Sequence, residues 1–140
     1  MVATAVAAPP EACVIGMINN QSAEDYLECI LMLREKQGYA RSIDVANELG
    51  VTKPSVSVAM KKLRDQEMIT FDDNGFILFT DAGRKLAKKV YDKHKLLTKA
   101  LIAIGVSEKK AAEEACLIEH VISDTTYKCI KEFVKKYEKD

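Results

Sequence analysis

The chain has 140 residues, and its 21 Lys and Arg balance 21 Asp and Glu, so the formal net charge is zero. Hydrophobic residues make up 48% and charged residues 30%, which excludes a chain that is disordered throughout and allows one domain or two small ones. Only 6% of the residues are aromatic, with 6 Gly and 3 Pro, and this favours helices over a turn-rich β-sandwich. Zero net charge gives no support for a generally basic nucleic-acid coat, but it leaves local patches open.

Residues 1–21 differ in composition from the rest of the chain and are predicted to form a flexible N-terminal tail. They carry one charged residue, Glu11, and no Lys or Arg precedes Arg34. A secretory signal begins with basic residues, so no signal peptide is predicted, and no run reaches the ~18 to 20 apolar residues of a membrane span. The four cysteines include no C-x-x-C pair, and no disulfide framework is expected in a helical chain of this size. We therefore expect a cytoplasmic protein without membrane association.

Capping and stop signals predict two helices after the tail. Ser22 and Asp25 provide an N-cap and an acidic third position for a helix that ends at Gly38. Ser42 is predicted to cap a second, shorter helix that ends at Gly50.

A tight turn leads from the second helix into a third. Thr52 is predicted to cap this helix, and Pro54 falls in its first turn, where the missing N–H costs nothing. Two helices joined by such a turn form a helix-turn-helix signature. The β-prone runs 68–71 and 76–79 then flank Asn74-Gly75, which is a strong hairpin signal. Residues 22–81 are thus predicted to form a winged helix-turn-helix domain.

The rest of the chain is predicted to be helical. Thr80 or Asp81 is predicted to cap a long helix over 82–104 that Gly105 ends, and Ser107 is predicted to cap the next one. A break near 123–124 leads into a final amphipathic helix over 127–137. The predicted fold is therefore mostly α, with the winged helix-turn-helix followed by an all-helical domain over 82–140.

The zero net charge conceals an uneven distribution. Residues 22–80 contain 7 basic and 10 acidic residues, whereas residues 81–100 contain 7 basic and 2 acidic residues. The long helix therefore begins as a basic stripe directly after the wing.

The predicted third helix has the features of a DNA-reading helix. In a helix-turn-helix, N-terminal residues of the second helix reach base edges in the major groove, and basic residues around it hold phosphates. We predict that double-stranded operator DNA is bound by Arg41, Thr52, Lys53, Pro54, Ser55, Ser57, Val58, Lys61, Lys62 and Arg64. The alternative is a protein-interaction domain in which the Lys and Ser residues form a solvated face.

A second constellation suits a metal ion. Cys116, Glu119 and His120 form the pattern C-x-x-E-H, which places thiolate, carboxylate and imidazole on one face of a helix. Asp25 and Glu28 repeat the i, i+3 spacing on the first predicted helix. Together these ligand types favour a divalent first-row transition ion over Mg²⁺. Each residue alone is a weak signal, since a lone helical Cys or His more often packs than binds a metal.

Short segments spread along the chain carry a more specific signal. They are Glu24 to Glu28, Gly38 to Arg41, Pro54 to Ser57, Leu78 to Gly83, His94 to Leu97 and Ile118 to His120. Together they resemble the diphtheria toxin repressor family of metal-dependent transcriptional regulators, and most closely its short branch of manganese-transport regulators.

The resemblance implies that residues 82–140 form a helical metal-binding and dimerisation domain. It also implies a homodimer, built from the helices after the wing, that represses metal-uptake genes. In such a protein Mn²⁺ or Fe²⁺ acts as co-repressor and locks the dimer in the operator-binding geometry, while Zn²⁺ or Co²⁺ can occupy the site in vitro. It implies that one or two ions are bound by Asp25, Glu28, His94, Cys116, Glu119 and His120. No catalytic activity and no organic substrate are expected.

Several positions depart from the family pattern. Manganese-sensing members usually have a carboxylate in place of Cys116, and iron-sensing members a thioether in place of Asp25. Cys116 favours the softer ion, whereas Asp25 and Glu28 favour the harder one, so the choice between Fe²⁺ and Mn²⁺ stays open. Thr98 and Ala112 stand where iron-sensing members have ancillary ligands, so that second site is expected to be absent, as is the C-terminal barrel domain of longer members.

Two other functions are open at this point. A thiol-based redox-sensing regulator would use Cys116, which must then be exposed and deprotonated. An enzyme would use Cys116 as nucleophile and His120 as base, but no Gly-rich oxyanion turn lies near them, so an enzyme is not expected.

Overall fold

The computed structural model describes residues 19–139, with side chains from 23 to 138. Residues 1–18, most of the predicted tail, lie outside the described residues. Within them the chain forms two compact units that meet in sequence between residues 91 and 92. The boundary between the two domains that the sequence predicts, between residues 81 and 82, remains a prediction.

The first unit is a winged helix-turn-helix, as predicted. Its elements are α1 (Asn19–Gln37), α2 (Ser42–Leu49), α3 (Lys53–Asp65), β1 (Ile69–Phe71), β2 (Ile77–Phe79) and the start of α4 (Asp81–Ala103). The strands form an antiparallel hairpin in which Ile69 lies opposite Phe79.

The core of this unit comes from the apolar faces of the three helices and the hairpin. Side chains that are almost fully buried are Leu27, Ile30, Val45, Val56, Met60, Ile69 and Ile77. The apolar side chains of α1 and α3 recur at helical spacing and thus all face one shared core. This core holds the two helices of the helix-turn-helix in place.

Three of the predicted helix caps are confirmed. The side-chain oxygens of Thr52, Thr80 and Ser107 accept hydrogen bonds from backbone N–H groups three residues later. Such bonds satisfy donors that the first turn of a helix leaves without an intrahelical partner.

The predicted caps Ser22 and Ser42 are wrong. Helix α1 already begins at Asn19, so Ser22 lies inside it. Helix α2 is capped at Arg41, whose backbone N–H donates to the Asp44 carboxylate at 3.0 Å. The acidic residue in the first turn of α2 thus satisfies the free donor, and the Ser42 hydroxyl is not required for it.

The wing is held against the turn between α1 and α2. The backbone N–H of Ile77 donates to the carbonyl of Ala40 at 2.8 Å, and the Arg34 guanidinium donates to the carbonyl of Ile77 at 2.7 Å. At the tip, the Asp72 carboxylate accepts from the backbone N–H groups of Asn74 and Phe76. Strand β2 is therefore fixed at its amino end by three separate hydrogen-bonding groups.

The start of α4 packs on the residue that precedes the wing, and Gly83 makes this approach possible. A Cβ atom at Gly83 would lie 1.8 Å from the carbonyl oxygen of Met68. Ordinary helical Gly→Ala changes stabilise a helix by roughly 1 kcal/mol, but a clash with backbone outweighs this gain. We expect Gly83→Ala to lower the free energy of unfolding by about 2 to 3 kcal/mol, measured by urea denaturation.

The exposed neighbour Ala82 supplies the control for this prediction. Ala82→Gly alters the same turn without a clash and is expected to cost no more than about 1 kcal/mol. A Gly83→Ala variant as stable as the wild type would contradict the packing of α4 on Met68.

The second unit is entirely helical in its described part. It contains the end of α4, then α5 (Glu108–Ile118) and α6 (Asp124–Lys139). The Lys93 ammonium lies 3.4 Å from the Asp124 carboxylate, and Lys99 forms an ion pair with Glu138, so both ends of α6 are tied to α4. Helix α6 starts earlier than predicted because the Ser123 hydroxyl accepts from the backbone N–H of Thr126. Among residues 19–139, every helix is too short or too polar to span a bilayer.

Candidate functional site

Helix α3 has one buried face and one exposed face. Val56, Met60 and Leu63 are buried against the core, so the opposite face lies in solvent. Exposed there are Thr52, Lys53, Pro54, Ser55, Ser57, Val58, Lys61, Lys62 and Arg64. Arg41, the tenth residue predicted to contact DNA, is also exposed.

The face of α3 combines cations, hydroxyls and one exposed apolar side chain. Val58 is 68% exposed, which is unusual for a large aliphatic residue and leaves a methyl surface available to a ligand. A surface of this composition can bind phosphates and contact base edges.

The second unit buries a carboxylate between two imidazoles. Nδ1 of His94 lies 2.9 Å from Oε1 of Glu119, and Nε2 of His120 lies 3.6 Å from Oε2. Glu119 is only 3% exposed. A buried carboxylate is stable only with a compensating charge or hydrogen bonds, so this cluster favours a positively charged partner.

The C-x-x-E-H segment is only partly helical. Helix α5 ends at Ile118, but Glu119 keeps right-handed helical angles, and its N–H donates to the carbonyl of Ala115 at 2.9 Å. The helical curvature therefore continues as far as Glu119, and His94 contacts Glu119 from α4.

Cys116 is partly buried on α5. Its sulfur can bind a metal only as a thiolate, so the reduced chain is the form competent for coordination. Cys29, by contrast, is a buried free thiol in the core. Burial, and then the negative charge of Glu48, raise the pKa of the Cys29 thiol, so it stays neutral and serves packing.

The donor set of the second unit fits a first-row transition ion. His94 and His120 offer imidazole nitrogen beside the carboxylate oxygens of Glu119. Mn²⁺, Fe²⁺, Co²⁺ and Zn²⁺ accept such mixed ligands, whereas Mg²⁺ rarely binds nitrogen or sulfur.

The other two predicted ligands lie on α1 in the first unit. Asp25 is buried and Glu28 is partly buried. They are one helical turn apart, so both carboxylates are on one face of α1.

Two functional features give little signal in the sequence. One is an apolar groove of about 280 Å³ in the second unit. Its lining residues are Leu97, Ala100, Leu101, Ala103, Ile104, Ile118, Ile130, Phe133, Val134 and Tyr137. The amphipathic pattern of α6 is the one signal that could have indicated it. The other feature is a pair of arginines stacked on aromatic rings of the wing.

Both units match models of known protein families. Residues 20–74 match the N-terminal DNA-binding domain of iron-dependent repressors. Residues 80–140 match their metal-binding and dimerisation domain. The buried cluster of His94, Glu119 and His120 lies in the second of these segments.

Relatives and solved structures agree with these matches. The chain is 36% identical over 119 residues to the HTH-type transcriptional regulator MntR of Bacillus subtilis (strain 168), covering 85% of this chain and 84% of that protein. It is similar to the structure of the metal-dependent transcriptional regulator MtsR, with a TM-score of 0.74 and 32% identity over 81% of this chain and 53% of that one. The manganese regulator SloR gives a TM-score of 0.71 and 30% identity, again over 81% and 53%. The chain thus spans about half the length of these two solved chains.

Proposed function

Because the chain belongs to the iron-dependent repressor family of metal-dependent transcriptional regulators, we propose that it represses metal-uptake genes with Mn²⁺ or Fe²⁺ as co-repressor. The observation that carries this proposal is the buried Glu119 carboxylate between His94 and His120. A transition ion there would add positive charge beside the buried carboxylate. The relatives found are metal-dependent regulators, and they give no support to the thiol-based alternative.

We propose that six residues hold the ion or ions. His94, Glu119 and His120 form the nucleus of the site, and reduced Cys116 adds sulfur. Asp25 and Glu28 are assigned to it by the family resemblance, and their carboxylates supply hard oxygen donors. Since the donor set contains both soft sulfur and hard oxygen, it suits Fe²⁺ as well as Mn²⁺.

The proposed partner is double-stranded operator DNA, bound by a homodimer. A dimer of helix-turn-helix units places two recognition helices in major grooves one helical turn apart. We propose that the apolar groove forms part of the dimer interface, because it lies in the segment matched to the dimerisation domain. Metal then acts by population shift. An ion that binds the DNA-competent state about 100-fold more tightly stabilises it by about 2.7 kcal/mol.

The test is a DNA-binding titration at buffered free concentrations of each ion. A duplex selected from a random pool in the presence of metal is titrated with the reduced chain, and binding is followed by fluorescence anisotropy. We expect Mn²⁺ or Fe²⁺ to increase the affinity about 100-fold, and Mg²⁺ to have little effect. A chain that retains no duplex at low salt, with or without metal, would overturn the proposal.

Val58 is expected to contribute to sequence discrimination. Its exposed methyl groups on α3 can contact the methyl group of a thymine. We expect Val58→Ala to weaken binding to the selected duplex by about three- to tenfold, with no change for a random duplex. An equal loss of affinity for both duplexes would instead mean that Val58 supports the fold of α3. In that case the Tm of the variant would also be lower than that of the wild type.

A further inference from the structure

Each end of strand β2 carries an aromatic ring with an arginine stacked on it. The guanidinium carbon of Arg41 lies 4.5 Å from the centre of the Phe76 ring. That of Arg84, in the first turn of α4, lies 5.7 Å from the centre of the Phe79 ring. Both arginines are exposed, and within residues 19–139 neither forms an ion pair with a carboxylate.

The Phe76 and Phe79 rings are each held in place by neighbouring groups. The backbone N–H of Phe76 donates to the Asp72 carboxylate at 2.9 Å, and its ring contacts the Tyr39 ring with 5.3 Å between centres. Phe79 packs against the hydrophobic core, and the backbone N–H of the next residue, Thr80, donates to the carbonyl of Met68. A side chain stacked on either ring is therefore held by fixed backbone.

The tip of the wing is poorly suited to bind a phosphate. It carries Asp72 and the exposed Asp73 between the two strands, and like charges repel. Positive charge is instead placed at both ends of β2, on Arg41 and Arg84. A guanidinium that lies over a ring contacts it through its carbon, and its N–H groups match the oxygens of a phosphate in a bidentate fashion.

Resting on the proposed function, we propose that Arg41 and Arg84 bind phosphates of the operator backbone and that Phe76 and Phe79 are positioning residues for them. The rings hold the guanidinium groups in an ordered orientation before DNA arrives, so less side-chain freedom is lost on binding. The wing thus contacts DNA through its stacked arginines, and its acidic tip stays away from the phosphates.

The test is a double-mutant cycle on DNA affinity in the metal-loaded chain. We expect Arg41→Gln to weaken binding five- to tenfold and to reduce the slope of log affinity against log salt by about 1.8, because the dimer loses one phosphate contact, worth about 0.9, in each protomer. Phe76→Leu keeps the charge but removes the platform, so we expect a loss of about threefold. In the Arg41→Gln background, Phe76→Leu is expected to have no further effect. Arg84→Gln and Phe79→Leu are expected to behave in the same way.

Two variants control for net charge and for ring shape. Lys36→Gln removes an exposed cation outside the proposed contacts and is expected to leave the salt slope unchanged. Phe76→Tyr keeps an aromatic face and is expected to bind as the wild type does.

Three results would overturn the inference. An unchanged salt slope in Arg41→Gln would show that this arginine binds no phosphate. Equal losses from Phe76→Leu in both backgrounds would show that the ring acts only on the fold of the wing. A wild-type chain that binds no duplex with metal present would overturn the proposed function itself, whereas a wild type that binds and variants that match it would overturn this inference alone.

Discussion

Glu119→Gln is expected to abolish the metal-dependent gain in operator affinity, a loss of about 100-fold at saturating Mn²⁺. The amide preserves the size of the side chain but lacks the negative charge that a cation requires between two imidazoles. Removing one ligand of a metal site weakens binding sharply, since even partners outside the ligand set contribute about 10- to 100-fold. The measurement is an anisotropy titration with Mn²⁺ and with chelator.

A direct measurement of metal binding separates the site from the fold. Free Mn²⁺ is counted by electron paramagnetic resonance as the reduced chain is added, and Glu119→Gln and His120→Gln are expected to leave most of it unbound. Glu114→Gln, which changes a carboxylate on α5 outside the proposed ligand set, is the matched control and is expected to bind as the wild type does.

Thermal unfolding provides a second readout of the same variant. An ion at 100 times its dissociation constant stabilises the folded state by about 2.7 kcal/mol, so Mn²⁺ is expected to raise the Tm of the wild type but not of Glu119→Gln. Without metal the two chains are expected to unfold at similar temperatures, because Gln removes a buried charge and leaves the volume filled. A variant that keeps the full response to Mn²⁺ would refute the site.

The local features of this fold were predictable because neighbouring residues determine them. Thr52 and Ser107 cap their helices through bonds to N–H groups three residues away, and Gly75 in the wing has the left-handed φ of 82° that a tight turn favours. The predictions of helix caps that were wrong also concern local features. Ser42 suits a cap position, but the cap lies one residue earlier, at Arg41, whose N–H donates to the Asp44 carboxylate.

In the candidate site, too, contacts between residues close in sequence were predictable, whereas long-range contacts were not. The C-x-x-E-H spacing places Cys116 within one helical turn of Glu119 and His120, because residues three and four positions apart on a helix are neighbours. The contact of His94 with Glu119 joins residues 25 positions apart, and only tertiary packing or a family resemblance could supply it. The stacking of Arg41 on Phe76 is likewise long-range, and no motif marks it.

The balance of 21 basic and 21 acidic residues also has a clearer meaning in the structure. Asp25 and Glu119 are buried, so part of the negative charge is withdrawn from the surface, and the proposed function pairs both carboxylates with a cation. The cations on α3 and beside the wing are exposed. With metal bound, the surface offered to DNA would therefore be more positive than the sequence total suggests.

Phe133→Glu is expected to convert the proposed homodimer into a monomer and to reduce operator affinity by at least about 100-fold. Phe133 is 64% exposed beside the apolar groove, and Ile104, which also lines it, is 73% exposed. Soluble proteins rarely leave such apolar surface uncovered, and a second copy of the chain would remove it from water. A carboxylate placed there would have to be desolvated at the interface, which opposes association.

The mass of the particle is measured by sedimentation at micromolar concentration, and DNA binding is measured on the same samples. Lys135→Glu introduces the same charge on α6 outside the groove and is expected to stay dimeric. A dimeric Phe133→Glu would exclude the groove from the interface. Because the proposed metal ligands lie outside the groove, monomeric Phe133→Glu is expected to bind Mn²⁺ as the wild type does. This variant would then lose operator binding with its metal site intact, whereas Glu119→Gln would lose it as an intact dimer, so the pair separates the contribution of assembly from that of the metal.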